Sequence, residues 1–127
     1  MLKEIIIIII VLILVISLDV ITNNYTTYAA DSLSDELSDL RQLILRKDEN
    51  NINKKTEEID KNWDKYNQRL SYYMEHDELE KVGNGITAIK SHIEVKENND
   101  AIENIDEVVF VLKHIEDKEK FSMKSLF

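Results

Sequence analysis

The chain has no cysteine, no proline and only two glycines among 127 residues. Without cysteine there is no disulfide framework and no thiolate metal site. Without proline, and with so little glycine, the vocabulary for tight turns and sheets is poor. What remains suits helices joined by short polar links. Positive charge is also in short supply, with a net charge of −9. Setting aside Lys3, Glu4 and Asp19 (net −1) leaves −8 on the other residues. A domain this acidic is expected to be repelled by nucleic acid phosphates and by anionic lipid headgroups, so nucleic-acid binding is set aside. The sequence contains no glycine-rich phosphate loop, nucleophile elbow or calcium loop.

Apolar residues, by contrast, are concentrated at one end. From Ile5 to Ile16 every residue is Ile, Val or Leu, and the run closes at Val20-Ile21 after Ser17 and Asp19. As a helix, Ile5 to Ile21 measures roughly 26 Å, close to the ~30 Å hydrocarbon layer of a bilayer. Exposed to water, the same run would be a β-aggregation hazard. A buried core segment, a cleaved signal and a permanent anchor all remain open, with the uncleaved anchor preferred. The nearest small-residue site, Ala29-Ala30, lies far beyond the apolar stretch. Lys3 precedes the span, and no basic residue follows it until Arg41. That asymmetry predicts a cytoplasmic N-terminus and an extracytoplasmic domain in the cell membrane. Tyr25 and Tyr28 fall where an interfacial aromatic belt is expected. The expected organisation is therefore a transmembrane signal-anchor over residues 1–21, a juxtamembrane linker over 22–30, and an acidic helical domain with a C-terminal tail over 31–127.

Four apolar periodicities at helical spacing fill that domain. They are Leu33, Leu37, Leu40, Ile44; then Ile52, Thr56, Ile59, Trp63, Tyr66, Leu70, Tyr73; then Leu79, Val82, Ile86, Ile89, Ile93; then Ala101, Ile105, Val108, Leu112, Ile115. Asp31 or Ser32 is expected to cap the first helix, and Asp77 with Glu80 to form a capping box for the third. Short links make successive helices antiparallel neighbours. The fold class is all-α: an N-terminal transmembrane helix followed by a small antiparallel four-helix domain. It is either an up-down bundle or two stacked helical hairpins, the latter prompted by the similar links "KDENNI" at Lys47 and "KENNDAI" at Lys96. Gly83-Asn84-Gly85 weakens the third helix by about 1 kcal/mol per glycine. The apolar register survives across it, so a continuous helix is expected, with Gly83 allowing a neighbour close.

"NWDKYNQRL" from Asn62, with His76-Asp77-Glu78 at the next helix start and a Val/Phe/Leu-rich last helix running to His114-Ile115, resembles the domain-of-unknown-function 4363 family of clostridial-type bacteria. The resemblance covers essentially the whole chain. It departs at the tail, where relatives carry Asn near the position of Ser125. The family has no established activity, and the resemblance implies a membrane-protein partner.

Among residues that could carry chemistry, His76, His92 and His114 form no His-x-x-x-His or Glu-x-x-His pair, so no metal site is expected. Glu57, Asp60 and Asp64 share a helix face with lysines interleaved, which reads as a solvated, salt-bridged face. Trp63, Tyr66 and Tyr73 lie on the core-facing seam, where packing is the default and a peptide groove the sharper alternative. Tyr72 falls off the seam and is expected to be exposed. The apolar tail, with Phe121, Leu126 and Phe127, is expected to fold back on the bundle or dock on a partner. The reading is a non-enzymatic accessory or scaffold subunit of an envelope membrane protein. It contacts lipid through residues 5–21 and binds another membrane protein or itself, with no cofactor and no small-molecule substrate. Trp63, Tyr66, Tyr72, Tyr73, Phe121, Leu126 and Phe127 are its candidate partner-binding residues. The rival reading is a ligand- or peptide-binding sensor with an aromatic groove.

Overall fold

The computed structural model describes residues 1–126 as four helices. They are α1 (Leu2–Leu45), α2 (Glu49–Leu70), α3 (His76–Glu94) and α4 (Asn98–Leu126). No strand occurs among the described residues. Helices α2, α3 and α4 and the second half of α1 run up, down, up, down, with α1 beside both α2 and α4. Consecutive helices are neighbours around a ring, which makes the domain an up-down bundle and not two stacked hairpins.

The four stripes read from the sequence form the core. Leu37, Leu40, Val82, Ala101 and Ile105 are fully buried, and the other positions of the stripes are almost all buried beside them. Tyr73 and Ile93 are the partial exceptions, at the two ends of the bundle. Burial of this kind stabilises by about 25 cal/mol per Å² of apolar surface and is the main force holding the helices together.

The main difference from expectation lies in α1. Residues 22–30 form no linker. They are the middle of a helix of 44 residues, about 66 Å long. Thr26, Ala29 and Ala30 are buried in the bundle, and Tyr25 packs against it. Asp31 and Ser32 consequently cap nothing. The physical reason is that neither proline nor glycine occurs anywhere in α1, so nothing interrupts its backbone hydrogen bonds. Thr22, Thr26 and Ala29 also continue the four-and-three spacing of Leu33, Leu37 and Leu40 backwards along the same face.

The two similar links have one conformation. Lys47 and Lys96 both have positive φ, 58° and 61°. In the first link Asp48 N–H bonds to Leu43 O at 3.1 Å and Lys47 N–H to Ile44 O at 3.1 Å; in the second Glu97 N–H bonds to His92 O at 2.8 Å and Lys96 N–H to Ile93 O at 3.1 Å. Each is a Schellman close, and Asp48 and Glu97 then start the next helix through Ile52 N–H and Ala101 N–H. A lysine in the left-handed region carries a steric cost that glycine does not. Lys47→Gly and Lys96→Gly are each expected to stabilise the bundle by about 1 kcal/mol. Thermal melts followed by circular dichroism would read this as additive rises in Tm. The exposed Lys96–Glu49 pair at 3.7 Å, lost in one variant, contributes little.

At the other end, α3 begins at His76 with Glu75 before it, and no side chain caps it. The expected Asp77/Glu80 capping box is absent: Asp77 is already inside the first turn, where its charge favours the positive helix end. Helix α3 runs unbroken through both glycines. A Cβ at Gly83 would lie 3.3 Å from Trp63 Nε1, and one at Gly85 would collide with Val108 Cγ2. The glycines thus admit the Trp63 ring from α2 and the Val108 side chain from α4.

The apolar run of α1 from Ile5 to Ile16, by contrast, is exposed throughout. The 18-residue hydrophobic window of α1 is entirely unburied. Among the described residues, one helix is long and apolar enough to cross a membrane.

Candidate functional site

The candidate partner-binding residues separate into two groups. Trp63 and Tyr66 are core residues, 6% and 7% exposed. The space they border, between Ala29, Ala30, Leu79 and Leu112, holds only about 10 Å³. That is at the threshold for one water and far below what a ligand needs. The seam is filled and offers no peptide groove.

Tyr72, Tyr73, Phe121 and Leu126 come together instead at the end of the bundle nearest the apolar half of α1. The Tyr73 hydroxyl lies 2.7 Å from Thr26 Oγ1 and donates to Thr22 O at 3.2 Å. This fixes the α2–α3 turn against α1 at that level and leaves the adjacent Tyr72 89% exposed. Burial raises the Tyr73 phenol pKa above its ordinary value, and the Thr26 hydrogen bond opposes that shift. Across α1, Asn23 Nδ2 donates to Glu119 O at 2.9 Å and to Glu119 Oε2 at 3.0 Å. Helix α4 then continues to Leu126, and Ser122, Met123 and Leu126 gather around Asp19 and Thr22. The tail does not turn back. It prolongs α4 along α1, because no proline or glycine follows Ile115 to stop the helix. Phe121 is 73% exposed on its outer side. Phe127 lies outside the described residues.

A second feature at this level was not visible in the sequence. Tyr25, Tyr28 and Tyr66 form an aromatic cluster, with ring centroids 6.3–6.5 Å apart and Tyr66 edge-on to the other two. The Arg69 guanidinium sits 5.6 Å from the Tyr25 ring centroid, a cation–π contact. These side chains, with Ser32, Glu36, Asn62 and Lys65, line an open cleft of about 310 Å³ between α1 and α2. The signal for it was the short spacing of Tyr25 and Tyr28. Only the register between α1 and α2 brings Tyr66 and Arg69 beside them.

Glu36 stands at the upper wall of the cleft. Its Oε1 accepts from Asn62 Nδ2 at 2.8 Å, while its Oε2 is buried without a hydrogen bond. Burial raises the Glu36 pKa above the ordinary carboxylate value, and the Asn62 bond only partly opposes this. A carboxyl whose folded pKa is raised binds its proton more tightly in the folded state. Its favourable contribution is therefore present at low pH and lost as pH rises through the raised value. Glu36→Gln keeps the Asn62 bond and removes the charge. It is expected to melt higher than the parent at pH 7, with the difference closing at pH 3.5; melting curves at the two pH values measure it.

Several other titratable groups are paired at the surface. Asp60 accepts from Lys90 of α3 at 2.7 Å, and that bond raises the Lys90 pKa. Of the three carboxylates Glu57, Asp60 and Asp64 on one face of α2, Asp60 is salt-bridged. His76 pairs with Glu80 at 3.2 Å and His92 with Glu97 at 2.9 Å, at opposite ends of α3. His92, Glu97 and Asp100 place one ligand atom each within 4.8 Å of one another and are the residues best placed to hold a cation. The two acids are exposed and the His92–Glu97 pair already accounts for the geometry.

The chain is thus an all-helical up-down bundle built on the extension of one long apolar N-terminal helix. It belongs to the DUF4363 family: residues 20–126 match the domain of unknown function (DUF4363). The match starts at Val20, where α1 begins to pack, and not at Asp31. No curated protein and no solved structure matches the chain.

Proposed function

We propose that this is a non-enzymatic, single-pass membrane protein that holds a rigid helical bundle against the outer face of the cell membrane, as an accessory or scaffold subunit of another envelope membrane protein. The observation that carries the reading is the unbroken α1. Its run from Ile5 to Ile16 is exposed Ile, Val and Leu, and its second half is one of the four walls of the bundle core. A span continuous with its domain fixes the height and tilt of that domain, which a flexible linker would not. Retention of the span is supported by the same continuity. Cleavage beside Ala29-Ala30 would cut through buried core residues and discard the Thr26 partner of Tyr73. The charge asymmetry around the span supports an outward-facing bundle. Exposed apolar side chains, Phe110 above all at 75%, offer contact points for a partner.

Crosslinking in native membranes, followed by pull-down of the intact protein and of a version lacking Phe121 to Phe127, tests this. Recovery of one membrane protein, reduced without the tail, is the expected result. Recovery of the protein alone would overturn the accessory role. A second reading, a ligand- or peptide-binding sensor, draws on the tyrosine cleft between α1 and α2. It predicts self-recovery only, together with a ligand-dependent rise in Tm that Tyr28→Ala removes.

A further inference from the structure

We infer that the membrane-proximal end of the bundle is itself a lipid-binding surface: a collar of Tyr72, Phe121 and Leu126 that seats the domain in the interface of the bilayer. The inference rests on the reading of α1 as a membrane anchor.

Depth carries the inference. The bond from Asn23 to Glu119 sets the level of α4 relative to α1. From Glu119 the helix runs seven more residues to Leu126, about 10 Å towards the apolar span. It passes Asp19, with Met123 and Leu126 against α1. Its last turn therefore overlaps the end of the span itself. Within the run from Ile5 to Ile16, Ile16 is the least exposed residue, at 37%, on the span's approach to that turn. At the same end, Tyr73 fixes the α2–α3 turn at the level of Thr22 and Thr26 and presents Tyr72 outward. With residues 5–21 in lipid, these aromatic and apolar side chains lie at the boundary of headgroups and acyl chains. That is where amphipathic rings and apolar helix faces are most stable.

The charges at this end are largely spent within the bundle. Residues 118–126 carry Lys118, Lys120 and Lys124 against Glu119. Glu78 and Glu75 hold Lys118 at 3.2 and 3.9 Å, and Glu116 holds Lys120 at 3.3 Å. Asp19 lies beside the last turn of α4. The strongly acidic bundle is therefore seated by its aromatic and apolar side chains and not by net charge.

Because the chain has no cysteine, single spin labels report depth directly. The full chain would be reconstituted in phosphatidylcholine vesicles with and without phosphatidylglycerol. Labels would go at Ile10→Cys in the span, Phe121→Cys and Tyr72→Cys in the collar, and Phe110→Cys on the exposed flank. Collisions with oxygen report lipid and collisions with a water-soluble nickel chelate report solvent. The expected result is oxygen-dominated relaxation at positions 10, 121 and 72, and nickel-dominated relaxation at 110. The labels at 121 and 72 should lie at the same depth with and without phosphatidylglycerol, because aromatic and apolar side chains and not net charge seat the collar. A lipid-buried label at 10 with solvent-like labels at 121 and 72 would overturn the collar and leave the anchor standing. Solvent-like labels at all positions would overturn both. Spin–spin broadening at 121 that disappears on dilution with unlabelled protein would assign the surface to a second copy and overturn the lipid assignment.

Discussion

A fragment starting at Asp31 is expected to be far less stable than one starting at Thr22. Both lack the apolar span, so both can be studied in water. Only the longer fragment retains the α1 turns that carry Thr26, Ala29 and Ala30, each at most 3% exposed. Those residues border Leu70, Leu79, Leu112 and Ile115 of the other three helices and Met74 of the α2–α3 turn. Removing them uncovers on the order of 100–200 Å² of apolar surface, which at ~25 cal/mol per Å² costs about 3–5 kcal/mol. The Tyr73 hydroxyl also loses both of its partners on α1. That loss is comparable to much of the stability of a small domain. Urea denaturation of the two fragments, followed by the fluorescence of Trp63, measures the difference. Equal midpoints would mean that residues 22–30 act as a tether after all.

Replacing Trp63 with alanine is expected to cost about 3–5 kcal/mol, the range for removing a large buried aromatic from a packed core. The ring fills the space over Gly83 and borders the small core void, so little can collapse into its place. The effect should couple to Gly83. With Trp63 present, a methyl at position 83 must displace the indole by a few tenths of an ångström, which offsets the helical advantage of alanine. In the Trp63→Ala background that conflict is gone, and Gly83→Ala should recover about 1 kcal/mol through helix propensity. A double-mutant cycle read by circular dichroism melts isolates this coupling. A loss below about 1 kcal/mol for Trp63→Ala would contradict a core role, given the values usual for such truncations. It would return the residue to the list of partner-binding candidates.

The two expectations treat aromatic residues that the sequence could not sort. Trp63, Tyr66 and Tyr73 share one seam at heptad spacing, and spacing says only that they face inward. Whether an inward face is filled or forms a groove depends on the side chains opposite. Here Ala29 and Ala30 from α1 and Gly83 from α3 are small enough to let the rings close the core. Tyr72 was correctly placed off the seam. Phe121 and Leu126 reach the same end of the bundle as Tyr72 because α2 and α4 run in the same direction, each antiparallel to the second half of α1.

Taken alone, the sequence determined the class of the fold, the four apolar stripes, the positions of the links and the single membrane-length segment. These are local properties, set by a 3.6-residue period and by the near-absence of proline and glycine. The tertiary structure decided the rest. It joined the span to the first bundle helix, because threonine and alanine continue the stripe at residues 22–30 but are too weakly apolar to announce it. It chose the up-down bundle over stacked hairpins, because two links of identical conformation can serve either topology and only the packing around all four helices selects one. It brought the end of α4 beside the end of the apolar run, because position along the chain carries no information about spatial neighbours until the helices are set side by side.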